Sequence, residues 1–109
     1  MASRRSKTFS VELSGELTIR SINDVRIRMI DALRDHAEVT AKVADDAVVD
    51  LTFVQLMESA RRTARDDGKG FSLAAPATGP LLETLERGGF LAGDDTARRE
   101  FWLLGSGDR

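Results

Sequence analysis

The hydrophobic pattern constrains this chain more than any other feature, because its period switches repeatedly between that of a strand and that of a helix. From Thr8 onward, Phe9, Val11 and Leu13 alternate with Ser10, Glu12 and Ser14, which predicts a strand with one buried face. Gly15 interrupts it as a bulge or tight bend, and Leu17 and Ile19 resume the buried side. Ile22, Val25, Met29, Ile30 and Leu33 then recur at helical spacing, predicting a helix from near Ser21, its N-cap, to near Asp35. Residues 39–43 read as a short strand, Asp45 and Asp46 as a turn, and Val48 and Val49 as a further apolar strand end. A second helix carries Phe53, Leu56, Met57, Ala60 and Ala64 at i, i+3, i+4, i+7 and i+11. Asp67, Gly68, Lys69 and Gly70 end it, with glycine available for a left-handed C-cap. Residues 71–75 form another predicted strand, stopped by Pro76. A third helix opens at Thr78, Gly79 and Pro80, where proline suits the first turn, and runs through Leu81, Leu82 and Leu85 to Gly88 and Gly89. Asp94, Asp95 and Thr96 offer caps for a short last helix holding Phe101, Trp102 and Leu103, whose aromatic rings are expected to pack on the domain's own core.

Strands alternating with helices predict an α/β fold with a mostly parallel sheet and right-handed crossovers. With 109 residues the chain is expected to form one domain over residues 8–104, between a flexible basic lead at 1–7 and a frayed tail at 105–109. The net charge of −2, with both signs interspersed, argues against nucleic-acid binding. The one local basic cluster, Arg61, Arg62 and Arg65, runs directly into Asp66 and Asp67 and reads as a solvated helix face. Cysteine is absent, which excludes a disulfide scaffold, a zinc knuckle and a thiol nucleophile, and fits a reducing cytoplasm. The basic N-terminal residues have no apolar stretch behind them, so no secretory signal is expected. No apolar run approaches the roughly 18 residues of a membrane span, so direct membrane insertion is not expected either.

The chain offers little chemistry. Nucleophilic catalysis needs a base beside the nucleophile and a group orienting that base, yet the only histidine, His36, sits alone at the end of the first helix, where it suits the negative end of the dipole. Gly68, Lys69 and Gly70 lack the GxxxxGK[ST] spacing of a phosphate loop. Asp45, Asp46, Asp94 and Asp95 fall where turns and caps are predicted, and no carboxylate pair has the spacing of a metal or acid–base site. The reading is therefore non-enzymatic, with no catalytic residue, no metal, no cofactor and no small-molecule substrate.

One segment rises above this background. Between the apolar pair Val48 and Val49 and the second helix lie Asp50, Leu51 and Thr52. Thr52 with Gln55 fits a capping box, and Leu51 with Leu56 fits the accompanying hydrophobic staple. Such a cap contributes about 1 kcal/mol. The same helix start carries unpaired amides and a positive dipole end, which would hold a phosphoryl group placed on Thr52.

At this point the chain resembles the STAS family, the sulfate-transporter and anti-sigma-factor-antagonist domains. Leu13-Ser14-Gly15-Glu16-Leu17-Thr18-Ile19 is similar to the family's L-x-G-x-L-D/T strand. Asp50-Leu51-Thr52-Phe53-Val54-Gln55-Leu56 is similar to its D-S-S/T-G-L-x-x-L loop and helix, and Gly89-Phe90-Leu91 to the G-L/F that closes the next helix. The resemblance covers residues 8–103. It departs from the pattern in three places: Leu51 stands at the usual phospho-acceptor serine, Phe53 at the following glycine, and the first strand of the family's sheet is abbreviated or missing.

The resemblance implies a small mixed, mostly parallel β-sheet of about four strands with helices packed largely on one side. It also implies a cytoplasmic, bacterial type of regulatory module that binds a protein partner, such as an anti-sigma factor, a kinase or a chemotaxis-type signalling protein. Thr52 is then the candidate phospho-acceptor. The docking surface comprises the loop at Asp50, Leu51 and Thr52 and the exposed side of the second helix, where Gln55, Ser59, Arg62 and Asp66 lie. Two alternatives stand beside it: a soluble subunit bound to the ATPase of a lipid-transporting ABC system, and a small nucleotide- or lipid-binding domain.

Overall fold

The computed structural model describes residues 8–103; the expected lead at 1–7 and tail at 105–109 lie outside them. The period-two segment forms β1 (Phe9–Leu13), and Gly15, at φ +75°, bends the chain into β2 (Glu16–Leu17). The remaining elements follow in the order α1 (Ile22–Asp35), β3 (Glu38–Val43), β4 (Val48–Val49), α2 (Leu51–Asp66), β5 (Gly70–Leu73), α3 (Gly79–Arg87) and α4 (Thr96–Leu103). Every pairing is parallel: β1, β3 and β5 form one sheet with β3 in the centre, while β2 and β4 form a second, two-stranded one. The chain thus has the α/β class read from its periodicity, with five short strands divided between two sheets.

Register decides which side of the larger sheet carries the core. Val11, Ala41 and Leu73 lie in one row across the strands, and Phe9, Val39 and Phe71 in the next. Between them Ser10, Thr40 and Ser72 form a polar row on the opposite face, continued by Glu12 and Lys42. Parallel sheets are usually covered on both faces; here the polar side chains keep the second face open, and Ser10, Glu12 and Lys42 are exposed. The helices supply the other half of the core with Val25, Met29 and Leu33 from α1, Phe53 and Met57 from α2, and Leu81 and Leu85 from α3. Phe101 and Trp102 of α4 are buried in the same cluster, as the sequence led us to expect. Each such side chain contributes roughly 1.5–3 kcal/mol by leaving water.

Four apolar positions expected to be buried are exposed: Phe9, Ile19, Ile30 of α1 and Val48 of β4. Phe9 opens the edge strand and is partly exposed, with its ring stacked on His36 at 4.0 Å between centroids. Ile19 is 68% exposed because β2 ends at Leu17 and the chain turns before Ile19, so the alternation there no longer describes a strand. At the other end of the sheet, Gly79 takes φ +58°, and a Cβ on it would lie 2.8 Å from the carbonyl oxygen of Asp45. Only glycine fits that close approach. No helix among the described residues is long and apolar enough to cross a membrane.

Candidate functional site

The junction between β4 and α2 is built by Asp50. Its backbone is extended (φ −135°, ψ −177°), the geometry an N-cap requires, and its Oδ1 accepts the amide hydrogen of Phe53 at 3.2 Å. The second carboxylate oxygen reaches across to the turn after β2, where it accepts the amide of Ile19 at 3.0 Å. One side chain therefore fastens two loops to one helix start. This corrects the capping box centred on Thr52. Helix α2 begins at Leu51, so Thr52 lies half-buried within the first turn, and the staple positions fall on Val49 and Val54 instead of Leu51 and Leu56. The physical reason is that β4 ends at Val49, which leaves Asp50 as the residue with non-helical dihedrals.

Around this cap three large apolar side chains face water. Ile19 lies on the turn that Asp50 holds, Val48 (58% exposed) lies two residues before the cap, and Leu51 (46% exposed) follows it. Leu51 rests against the end of α3, close enough that a Cβ on Gly88 would come within 2.9 Å of its Cδ2. A shallow cleft of about 400 Å³ runs beside it between Asp50 and Leu51 on one side and Thr84 and Arg87 on the other. From this corner the outer side of α2 presents Gln55, Ser59, Arg62 and Asp66, all exposed, so the candidate docking residues share one continuous surface.

Behind that surface sits a feature the sequence reading missed. Glu58 is 2% exposed, a buried carboxylate in the middle of α2. Arg61 donates to its Oε1 at 2.6 Å, the indole Nε1–H of Trp102 donates to Oε2 at 2.7 Å, and Arg98 approaches Oε2 at 3.4 Å. Burial opposes ionisation of this carboxyl and is the largest single influence on it. The hydrogen bonds from Arg61 and Trp102, with the charges of Arg61 and Arg98, together outweigh burial and hold it below the usual carboxylate range. The two arginines are also set against aromatic rings, Arg61 over Phe101 at 6.0 Å and Arg98 over Phe90 at 5.3 Å. Arg61 is therefore not part of a solvated basic face; of that cluster only Arg62 and Arg65 are exposed. The cluster joins α4 to α2, and the amide of Ala77 donating to the Trp102 carbonyl at 2.8 Å adds the loop before α3.

No protein-family model matches the chain, and no curated protein or solved structure matches it.

Several other polar groups have local partners, whereas Arg61 Nε and Arg98 Nε are buried without a hydrogen-bond partner among the described residues. Thr78 donates to Asp45 Oδ1 at 3.1 Å, Asp95 Oδ1 accepts the amide of Arg98 at 3.0 Å, and Lys69 bonds the Leu33 and Arg34 carbonyls at the end of α1. The glycine–lysine–glycine turn is thus a helix terminator whose lysine closes a second helix. Among the described residues no three histidine, aspartate or glutamate side chains converge on a metal-sized site.

Proposed function

We propose that this chain is a non-enzymatic regulatory domain of the STAS type, which works by docking onto a protein partner through the corner at Asp50, Leu51 and Thr52 and the adjoining outer side of α2. The observation that carries this reading is the gathering of Ile19, Val48 and Leu51, all exposed, on the segments around one capped helix start. Exposed apolar side chains grouped beside polar ones are what a reversible protein interface uses. Asp50 holds the backbone at this point, so the surface is organised before a partner arrives and little ordering entropy opposes binding. Leu51 in place of a phosphorylatable serine favours a constitutive contact, with Thr52 as the remaining acceptor for a phosphoryl-dependent one.

The reading is tested by affinity capture from the native cell with wild type, Leu51→Asp, Thr52→Glu and Ser59→Arg chains, each checked for folding by circular dichroism. Loss of a common binding protein by the Leu51 and Ser59 variants is expected. Equal capture of every binding protein by all four chains overturns the proposal.

A further inference from the structure

Helices α1 and α2 lie side by side, and between their outer faces runs a groove of about 460 Å³. Its apolar floor comes from Met29, Ile30 and Leu33 of α1 and Leu56 and Ala60 of α2. Met29 and Leu33 on α1, and Leu56 and Ala60 on α2, are each four residues apart, so the floor runs along the helix axes. Ile30 is 51% exposed although it belongs to the same apolar stripe as the buried Met29 and Leu33.

The rim is charged, and its sign differs from that of the whole chain. Arg26, Arg34 and Lys69 border the groove against the single carboxylate of Asp67, while the chain carries a net −2. Arg34 is already paired with Asp31 at 2.8 Å. Arg26 bonds only the amide oxygen of Asn23, and Lys69 only backbone carbonyls, so neither cation is neutralised by a carboxylate among the described residues. These two cations mark opposite ends of the groove, since Arg26 and the Leu33 carbonyl that Lys69 holds are about two helical turns apart.

From this we infer that the α1–α2 groove binds an acidic amphipathic helix of the protein partner, with apolar residues at i, i+3, i+4 and i+7 seated on Ile30 and Leu56 and carboxylates two turns apart meeting Arg26 and Lys69. A helix laid on an apolar groove reads in these anchors, and the two cations without a carboxylate partner select its charge. The inference deepens the docking role proposed above and rests on it. It also explains why Ser59, on the groove's edge, belongs to the same surface as the corner.

The test uses the full chain, isotope-labelled, titrated with two synthetic helical peptides that share one leucine stripe and carry either glutamates or lysines on the polar positions. The glutamate peptide is expected to bind about tenfold more tightly at low salt, with the preference fading as ionic strength rises. Amide shifts should concentrate in residues 26–34 and 56–69. Ile30→Glu and Arg26→Glu should each abolish the preference while Asp46→Asn, in the exposed turn between β3 and β4, leaves it unchanged. Equal binding of both peptides, or shifts outside the two helices, overturns the inference. Binding lost by Thr52→Glu and kept by Ile30→Glu also overturns it, and leaves the corner as the docking site. A concentration-dependent dimer that Ile30→Glu disperses assigns the groove to a second copy of the chain and overturns the acidic-helix occupant.

Discussion

The indole N–H of Trp102 donates to Glu58 Oε2 at 2.7 Å across 44 residues of chain, and both residues are buried. The bond ties the last described helix to the middle of the longest one, so α4 is an integral part of the core. Phe101 adds to this attachment by packing against Phe71 of β5, with ring centroids 5.3 Å apart.

Removing the carboxylate should therefore cost far more than one hydrogen bond. Glu58→Ala removes the carboxylate that Arg61, Arg62 and Arg98 share, and a loss of about 3–5 kcal/mol is expected. Glu58→Gln keeps an acceptor for the indole but no charge, and should fall between that variant and wild type. Urea denaturation of the three proteins measures the order. A Glu58→Ala midpoint equal to wild type would show that the cluster contributes nothing.

The same carboxyl predicts how stability depends on pH. Its folded-state value lies below its ordinary 4.5, so the unfolded chain binds a proton more readily than the folded one. Stability from Glu58 is then fully present above about pH 4.5 and is lost as pH falls through the folded value. Asp95, lowered by the backbone hydrogen bond from Arg98, acts in the same direction. Thermal unfolding from pH 7 to pH 3 should show a falling midpoint, and Glu58→Gln should flatten the lower part of that curve.

The cap assignment separates two adjacent residues. Asp50→Ala removes a helix cap and the anchor of the turn at Ile19, and should cost about 1–2 kcal/mol. Thr52→Ala lies inside the first turn and should change stability by less than about 0.5 kcal/mol. Chemical denaturation of the two variants decides between them, and a larger effect at Thr52 would reverse the assignment.

Glycine positions give a graded pair. Gly15→Ala meets no neighbour within 4 Å and suffers only from its positive φ, for which about 1–2 kcal/mol is expected. Gly79→Ala meets the same backbone penalty and also drives a Cβ against the Asp45 carbonyl, so its melting temperature should fall further. Equal melting temperatures would show that the loop at Asp45 yields freely.

The long elements were legible because one-sided burial writes a period into the chain. Val25, Met29 and Leu33 on α1, and Phe53, Met57, Ala60 and Ala64 on α2, are buried on the stripe that their spacing marks. The alternation was misleading where a strand stops: Ile19 keeps the rhythm of Leu17 but lies on a turn. Asp50 and Thr52 are both good capping residues two positions apart, and only the place where β4 ends chooses between them. Glu58 was invisible for a different reason. Its burial depends on Arg98 and Trp102, which no local pattern around α2 can announce.

Because the indole partner of Glu58 is made 44 residues after it, the domain has a constraint on its synthesis. Until residues 96–103 have been synthesised, α2 carries a carboxylate and a guanidinium that belong in the interior but lack Trp102 and Arg98 to close the cluster. Contacts of such wide sequence separation are gained only after the intervening loop has been closed. The cluster around Glu58 is therefore completed only once α4 has formed and packed against α2.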